Sequence, residues 1–262
     1  MKRNLESLKR SENLDLGVAA ASPGFRCEAI YAMVRRVEQR GDVVRHAEAE
    51  SGGNLRYLDL VALARATRID EPFPYLIVPG FLRSIGRAEL AADFPEIREP
   101  GSFPVGDLHS GPRFHDFLAE LQEPGFRAAI ERAFEIDLTN RPTIVTVRGQ
   151  ARPRDGRIHN DSRSKLITVL IYMNEAWEAD GGRLRLLRSP DNLEDVAAEV
   201  PPQAGTLLAF RVTDHSWHGH LPVTGPRRVV QLNWVASAAV ARRERARHGF
   251  SARVKRLTSL LR

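Results

Sequence analysis

Five short β-rich runs follow one another after Pro142, and they constrain the fold of this 262-residue chain more than any other feature. Thr143 to Arg148 alternates Ile and Val with Thr. Leu166 to Tyr172 is almost wholly apolar, as a strand buried on both faces should be. Arg183 to Leu187 alternates charge with leucine, and Thr206 to Phe210 and Arg228 to Trp234 complete the set. Turn signals separate the runs: Asp180-Gly181-Gly182, Pro190-Asp191-Asn192, Ala204-Gly205 and Thr224-Gly225-Pro226. Short strands punctuated by turns predict a sandwich or closed barrel, because alternating βαβ units need a helix between successive strands.

The segment before Pro142 has a different texture. Cys27 to Arg40 and Leu55 to Ala66 carry apolar residues at helical spacing, broken by Ser51-Gly52-Gly53-Asn54. Residues 1–70 are therefore expected to form an N-terminal helical extension. Tyr75-Leu76-Ile77-Val78 reads as a strand closed by Pro79-Gly80, and Phe81 to Phe94 as a helix. Pro95 to Gly111 reads as loop, and Phe114 to Phe134 as helix interrupted at Pro124-Gly125. The main domain is expected over 71–240. The remaining 241–262 form a basic tail, with Phe250, Val254, Leu257 and Leu261 at helical spacing.

Charge narrows the partners. The chain carries a formal net +6, but 241–262 holds eight basic residues against one acid and 1–10 holds four against one. The body between these ends is net −4, which argues against a nucleic-acid-binding face on the core. The single cysteine, Cys27, rules out an internal disulfide and points to a reducing, cytoplasmic setting. No apolar run approaches the roughly 18–20 residues of a membrane span, and the charged N-terminus lacks the apolar core of a secretory signal.

His159-Asn160-Asp161 is the chemical motif that stands out. Side chains at i and i+2 of an extended segment share a face, so His159 and Asp161 point together and Asn160 points away. One carboxylate with imidazole, and no thiolate nearby, suits a non-heme iron better than a structural zinc. A third ligand must come from a remote strand, and His215, His218 and His220 all offer one. Arg228, ten residues beyond His218, opens the last apolar run. A guanidinium fork there would suit a dicarboxylate co-substrate. Tyr172, in an otherwise apolar strand, needs a partner for its hydroxyl, which a buried carboxylate would satisfy.

Several ordered segments carry a resemblance to a known family. His159-Asn160-Asp161, Leu170-Ile171-Tyr172-Met173-Asn174-Glu175-Ala176-Trp177, Gly181-Gly182-Arg183-Leu184-Arg185, and Trp217-His218-Gly219-His220-Leu221-Pro222-Val223 with Arg228 and Trp234 resemble the Fe(II)/2-oxoglutarate-dependent dioxygenase superfamily, in its prolyl-hydroxylase-like branch. The likeness runs over about 140–236 and extends in weaker form back to about 72. It implies an α+β chain, mainly β with flanking helices, built on a cupin-like jelly roll (double-stranded β-helix). It implies Fe(II) on His159, Asp161 and His218. His218 is preferred for its spacing to Pro222 and Arg228, with His220, of the same strand parity, as the rival. It implies 2-oxoglutarate held through Arg228 and Tyr172, with Thr168 on the same face lining the pocket. Arg228 is taken as the inward arginine, and Arg227 as solvent-facing, because the six-residue step to Trp234 matches the family.

The implied reaction consumes O2, converts 2-oxoglutarate to succinate and CO2, and hydroxylates a substrate, with ascorbate in a supporting role. Arg148, Arg152, Arg154 and Arg157 stand where protein prolyl hydroxylases tend to carry tyrosines. That departure favours a small, anionic or carbohydrate-like metabolite as substrate. A protein side chain such as proline is the alternative, and a non-catalytic jelly-roll binding module is the alternative of another class. Oligomeric state is not legible in the residues.

Overall fold

The structure, a computed structural model, describes residues 55–244 and 246. The expected helix over Cys27 to Arg40, the break at Ser51 to Asn54 and the amphipathic tail from Phe250 onward lie outside the described residues. Among the described residues the helices include α1 (Leu60–Arg65), α2 (Ser84–Asp93), α3 (Pro112–Glu120) and α4 (Pro124–Phe134), and residues 238–244 are also helical. The strands are β1 (Tyr75–Val78), β2 (Phe103–Pro104), β3 (Thr143–Ala151), β4 (Lys165–Tyr172), β5 (Leu184–Leu187), β6 (Val196–Val200), β7 (Leu207–Arg211), β8 (His218–Gly219) and β9 (Gly225–Val235).

Local chemistry sets the helix starts. Asp59 caps α1 by accepting the Ala62 N–H at 2.8 Å, and α3 and α4 both begin at a proline, whose missing N–H costs nothing in a first turn. The loop expected over Pro95 to Gly111 is irregular apart from β2 and a 3-10 turn at Val105–Asp107.

The strands form two antiparallel sheets. Six are ordered β1-β7-β4-β9-β3-β2 and three are ordered β6-β5-β8. Together they make the jelly roll that the resemblance implies. Alternation sorts each central strand between two layers. Ile167, Val169 and Ile171 of β4, Leu207 and Ala209 of β7, and Val230, Leu232 and Trp234 of β9 join a core shared with Phe117, Phe126 and Ile130 of the helices. Leu170 and Tyr172 of β4, Leu208 and Phe210 of β7, and Val229 of β9 join a second core with Leu184, Leu186 and Val200 of the small sheet. This explains why β4 is apolar at almost every step: helices cover one face and the small sheet covers the other. Tyr57, Leu58, Leu60 and Leu63, which precede residue 70, are buried in the helix-side core.

Three strands escaped the sequence reading: β2 is a two-residue strand inside the segment expected to be loop, and β6 and β8 gave no signal either. β6, with its Ala197-Ala198-Glu199 centre, has neither alternation nor β-branched density, and β8 is only two residues long. No helix among the described residues is long and apolar enough to cross a membrane.

Candidate metal and co-substrate site

The small sheet meets the main sheet at the expected histidines. His159 and His218 form an isolated antiparallel bridge, each backbone N–H donating to the other's carbonyl at 3.0 Å. His159 is thus extended by one bridge rather than by a full strand, and Asp161 lies just beyond it in irregular backbone. The two rings sit 4.3 Å apart between centroids. Gly156 makes the approach possible. A Cβ there would fall 2.1 Å from the His220 carbonyl oxygen, so any larger residue would push β8 away from the turn before His159.

Ligand atoms of His159, Asp161 and His218 all lie within 4.8 Å of one another. Backbone carbonyls orient both imidazoles: His159 Nδ1 is 3.0 Å from Arg157 O, and His218 Nδ1 is 2.9 Å from Ser216 O. A carbonyl only accepts, so the proton belongs on Nδ1 and each Nε2 keeps its lone pair. Burial, with the neighbouring His159, lowers His218 to about 4, so it is neutral and ready to ligate at neutral pH.

Asp161 is held from both sides. Lys165 Nζ donates to Oδ1 at 2.7 Å, and Thr168 Oγ1 donates to Oδ2 at 2.6 Å. Burial opposes its ionisation, but Lys165, His218 and the Thr168 hydroxyl outweigh it and bring the carboxyl to about 2. Thr168 in turn accepts from Asn233 Nδ2 at 2.8 Å, and Asn233 Oδ1 accepts from Gln231 Nε2 at 3.0 Å. Thr168 lines the cavity as expected, yet its hydroxyl is committed to Asp161. Asn160 points away and works elsewhere: it donates to Thr213 O at 2.7 Å and accepts from Ser216 Oγ at 2.6 Å, tying the His159 segment to the loop before His218.

The other histidines separate. His215 is exposed. His220 lines the cavity but stands outside the ligand cluster, with Nδ1 2.8 Å from Leu221 O. Burial, with the charge of Arg227, lowers His220 to about 4.

A cavity of about 220 Å³ opens beside the three ligands. Its floor is the second face of the main sheet: Thr146 and Arg148 of β3, Thr168 and Leu170 of β4, and Arg227 and Val229 of β9. The expectation for Arg228 is overturned here. Arg228 is exposed and its guanidinium lies over the Phe94 ring, 5.3 Å from the centroid. The reason is parity. A six-residue step keeps a strand residue on one face, so Arg228 shares the face of Trp234, and that face packs against Phe126 and the helices. Arg227 is the inward arginine, 6% exposed, with Nε donating to Gly182 O at 2.9 Å. Asn174 sets this register by accepting the Arg228 N–H at 2.8 Å and donating to Pro202 O at 2.6 Å.

Two polar atoms in this corner have no partner among the described residues. Arg227 Nη2 and Tyr172 Oη are both buried and unbonded, although the Arg227 guanidinium lies 5.7 Å from the Tyr172 ring centroid. Burial raises the pKa of the Tyr172 hydroxyl, against the pull of Arg227, so it stays protonated and can donate. An orphaned buried donor costs about 1–3 kcal/mol, so two on neighbouring residues, one of which lines the cavity, mark a place for an acceptor. A carboxylate fits both. Two imidazoles with free Nε2 atoms and one carboxylate likewise fit a divalent iron.

Comparison with protein families agrees with this chemistry. The family model described as 2OG-Fe(II) oxygenase superfamily matches residues 149–236. A search of curated proteins gives no match. Among solved structures the chain is similar to a prolyl-4-hydroxylase from Pseudomonas putida, at 20% identity over 68% of this chain and 93% of that one, with a TM-score of 0.46. It is also similar to a viral collagen prolyl hydroxylase from Paramecium bursaria Chlorella virus-1, solved as a 2OG complex, at 17% identity over 62% and 96% of the two chains and a TM-score of 0.43. A third is HygX from Streptomyces hygroscopicus with nickel and 2-oxoglutarate bound, at 11% identity over 63% and 83%, with a TM-score of 0.44. The segment 149–236, which contains His159, Asp161, His218 and Arg227, belongs to the 2OG-Fe(II) oxygenase superfamily.

Proposed function

We propose that this chain hydroxylates a small metabolite, with Fe(II) held by His159, Asp161 and His218 and 2-oxoglutarate held by Arg227 and Tyr172. One observation carries the assignment: the three converging ligands line the same cavity as Arg227, whose buried Nη2 is orphaned, and the second orphaned donor, on Tyr172, neighbours Arg227. Bound together, Fe(II) and 2-oxoglutarate supply oxidation of a substrate C–H bond by O2, with succinate and CO2 released.

The chain's own residues supply position and exclusion of water. Arg227, fixed at one nitrogen by Gly182, would turn its free nitrogen to the distal carboxylate, and the Tyr172 hydroxyl would donate to the same group. Thr168 and Asn233 hold the Asp161 carboxylate in one orientation, so that one face is left for a metal. Lys165 would share Asp161 with that metal, and the ion pair keeps the carboxylate ionised in the metal-free chain. Leu170, Leu184 and Val229 line an apolar side of the cavity. A cavity of about 220 Å³ favours a small substrate over an extended peptide. The domain of 71–240 is taken as the catalytic unit, with the buried residues of 57–63 completing its core. The single Cys27 favours a cytoplasmic setting.

The test is an anaerobic titration of the full chain with Fe(II) and then 2-oxoglutarate, followed by the visible metal-to-ligand charge-transfer band. The band should form in the wild type and in Arg228→Gln and be lost in Arg227→Gln at moderate 2-oxoglutarate. A folded wild type without the band would overturn the assignment.

A further inference from the structure

The cavity holds one more cation than iron and 2-oxoglutarate account for. Arg148 projects from β3 onto the cavity floor, opposite Val229 in register and one strand over from Arg227. Its guanidinium makes no hydrogen bond and no ion pair among the described residues. Burial and the repulsion of Arg227 both weigh against its charge, yet a guanidinium does not give up its proton. The acids that could answer it are engaged. Asp155 pairs with Arg152, Oδ1 accepting from Nε at 2.9 Å, and Asp161 pairs with Lys165 and Thr168. Two guanidiniums therefore face one small cavity uncompensated.

On the reading proposed above, 2-oxoglutarate answers only one of them. Its distal carboxylate would take Arg227, and the charge of the metal would answer the other. Arg148 is half-buried against the cavity, and a cation partly withdrawn from water without a partner favours an anion beside it. The fork geometry suits the two oxygens of a carboxylate or phosphate.

We propose that Arg148 is the specificity residue of the primary-substrate site, and that the substrate is a small molecule bearing an oxyanion, carboxylate or phosphate, which pairs with the Arg148 guanidinium. The proposal rests on the oxygenase reading and narrows its substrate class. Arg152, Arg154 and Arg157 take no part: Arg152 is spent on Asp155, and the other two do not line the cavity.

The experiment uses the full chain loaded anaerobically with Fe(II) and 2-oxoglutarate and titrated calorimetrically with two probes, propionate and methyl phosphate. At least one should bind with one-to-one stoichiometry, and which of them binds tells carboxylate from phosphate. Loss of a charge-assisted pair should weaken that probe about tenfold or more in Arg148→Gln, while Arg148→Lys keeps much of the affinity and Arg228→Gln keeps all of it. The 2-oxoglutarate charge-transfer titration of Arg148→Gln should match the wild type. Because the variant removes an unanswered charge, its melting temperature should not fall. The proposal is overturned if neither probe binds the loaded wild type, or if Arg148→Gln binds the probes as the wild type does. It is equally overturned if Arg148→Gln weakens 2-oxoglutarate as Arg227→Gln does, since Arg148 would then belong to the co-substrate. Absence of the charge-transfer band in the wild type would instead sink the oxygenase reading and this proposal with it.

Discussion

The two faces of β9 are built to different rules. Val230, Leu232 and Trp234 point to the helices and are buried among apolar side chains. Arg227, Val229, Gln231 and Asn233 point to the cavity. On the first face each side chain is enclosed by apolar neighbours. On the second, one arginine nitrogen has no partner and the amides are strung into a chain that ends on Asp161. On β9 itself the helix-side face asks only for apolar neighbours, whereas the cavity face leaves a polar group unmatched where a ligand would complete it.

Substitutions on the metal ligands should show the largest contrast. His218→Ala removes an imidazole from the cluster and should abolish both Fe(II) binding and turnover. His220→Ala, two residues on and facing the same cavity, should leave Fe(II) binding intact. Equilibrium dialysis with Fe(II) under argon compares them, and equal loss in both would mean that the wrong histidine has been assigned.

The paired arginines give the next contrast. Arg227→Gln removes a buried charge-assisted partner, worth about 2–3 kcal/mol, and should raise the 2-oxoglutarate KM by roughly 30–160-fold. Arg228→Gln, whose side chain lies over Phe94 on the opposite face, should change KM by less than about twofold. Steady-state succinate release measures both. A reversed order would restore the arginine that the family spacing favoured.

That reversal shows where the sequence was legible and where it was not. Hydrophobic runs located β1, β3, β4, β5, β7 and β9 because each is covered on at least one face, and covering leaves a pattern. That His159, Asp161 and His218 converge was legible because metal chemistry restricts residue types and their spacing. The choice between Arg227 and Arg228 was not legible from spacing to Trp234, because Trp234 marks the helix-side face. Parity with Gln231 and Asn233, the polar residues of an otherwise apolar run, was the available signal. Asn160, Asn174 and Gly156 position the site through backbone contacts to segments distant in the chain, and single-sequence patterning carries no trace of such contacts. β2, β6 and β8 left none because they are short and paired at a sheet's margin.

The amide chain behind Asp161 offers a smaller effect. Thr168→Val keeps the shape of the strand residue and deletes one donor to the carboxylate. Orienting contacts of this kind carry about 10–100-fold in metal affinity, and the lower end is expected here because Lys165 still holds the other oxygen. Leu232→Ala, on the helix face of β9, supplies the contrast: it should leave metal affinity alone and cost about 2–5 kcal/mol of stability. Metal titration and urea unfolding of the two variants should therefore separate cleanly; a Thr168→Val that loses only stability would show that the hydroxyl merely packs.

The smallest effect is one of pH. His220 sits near Arg227 and Arg148, and burial with their charges lowers it to about 4, below the ordinary 6.5. The unfolded chain therefore takes up the proton first as pH falls. The neutral ring costs nothing above about 6.5; between 6.5 and 4 the metal-free fold loses stability, and below 4 both states are protonated. His220 faces a cavity open to water, which discounts the loss to about 1 kcal/mol. His220→Gln should remove that share of the decline between pH 7 and pH 5 in urea unfolding, leaving the part due to His218. If the slopes of variant and wild type coincide, His220 is protonated as readily in the folded chain as in the unfolded one, and the cavity is less positive than its two arginines imply.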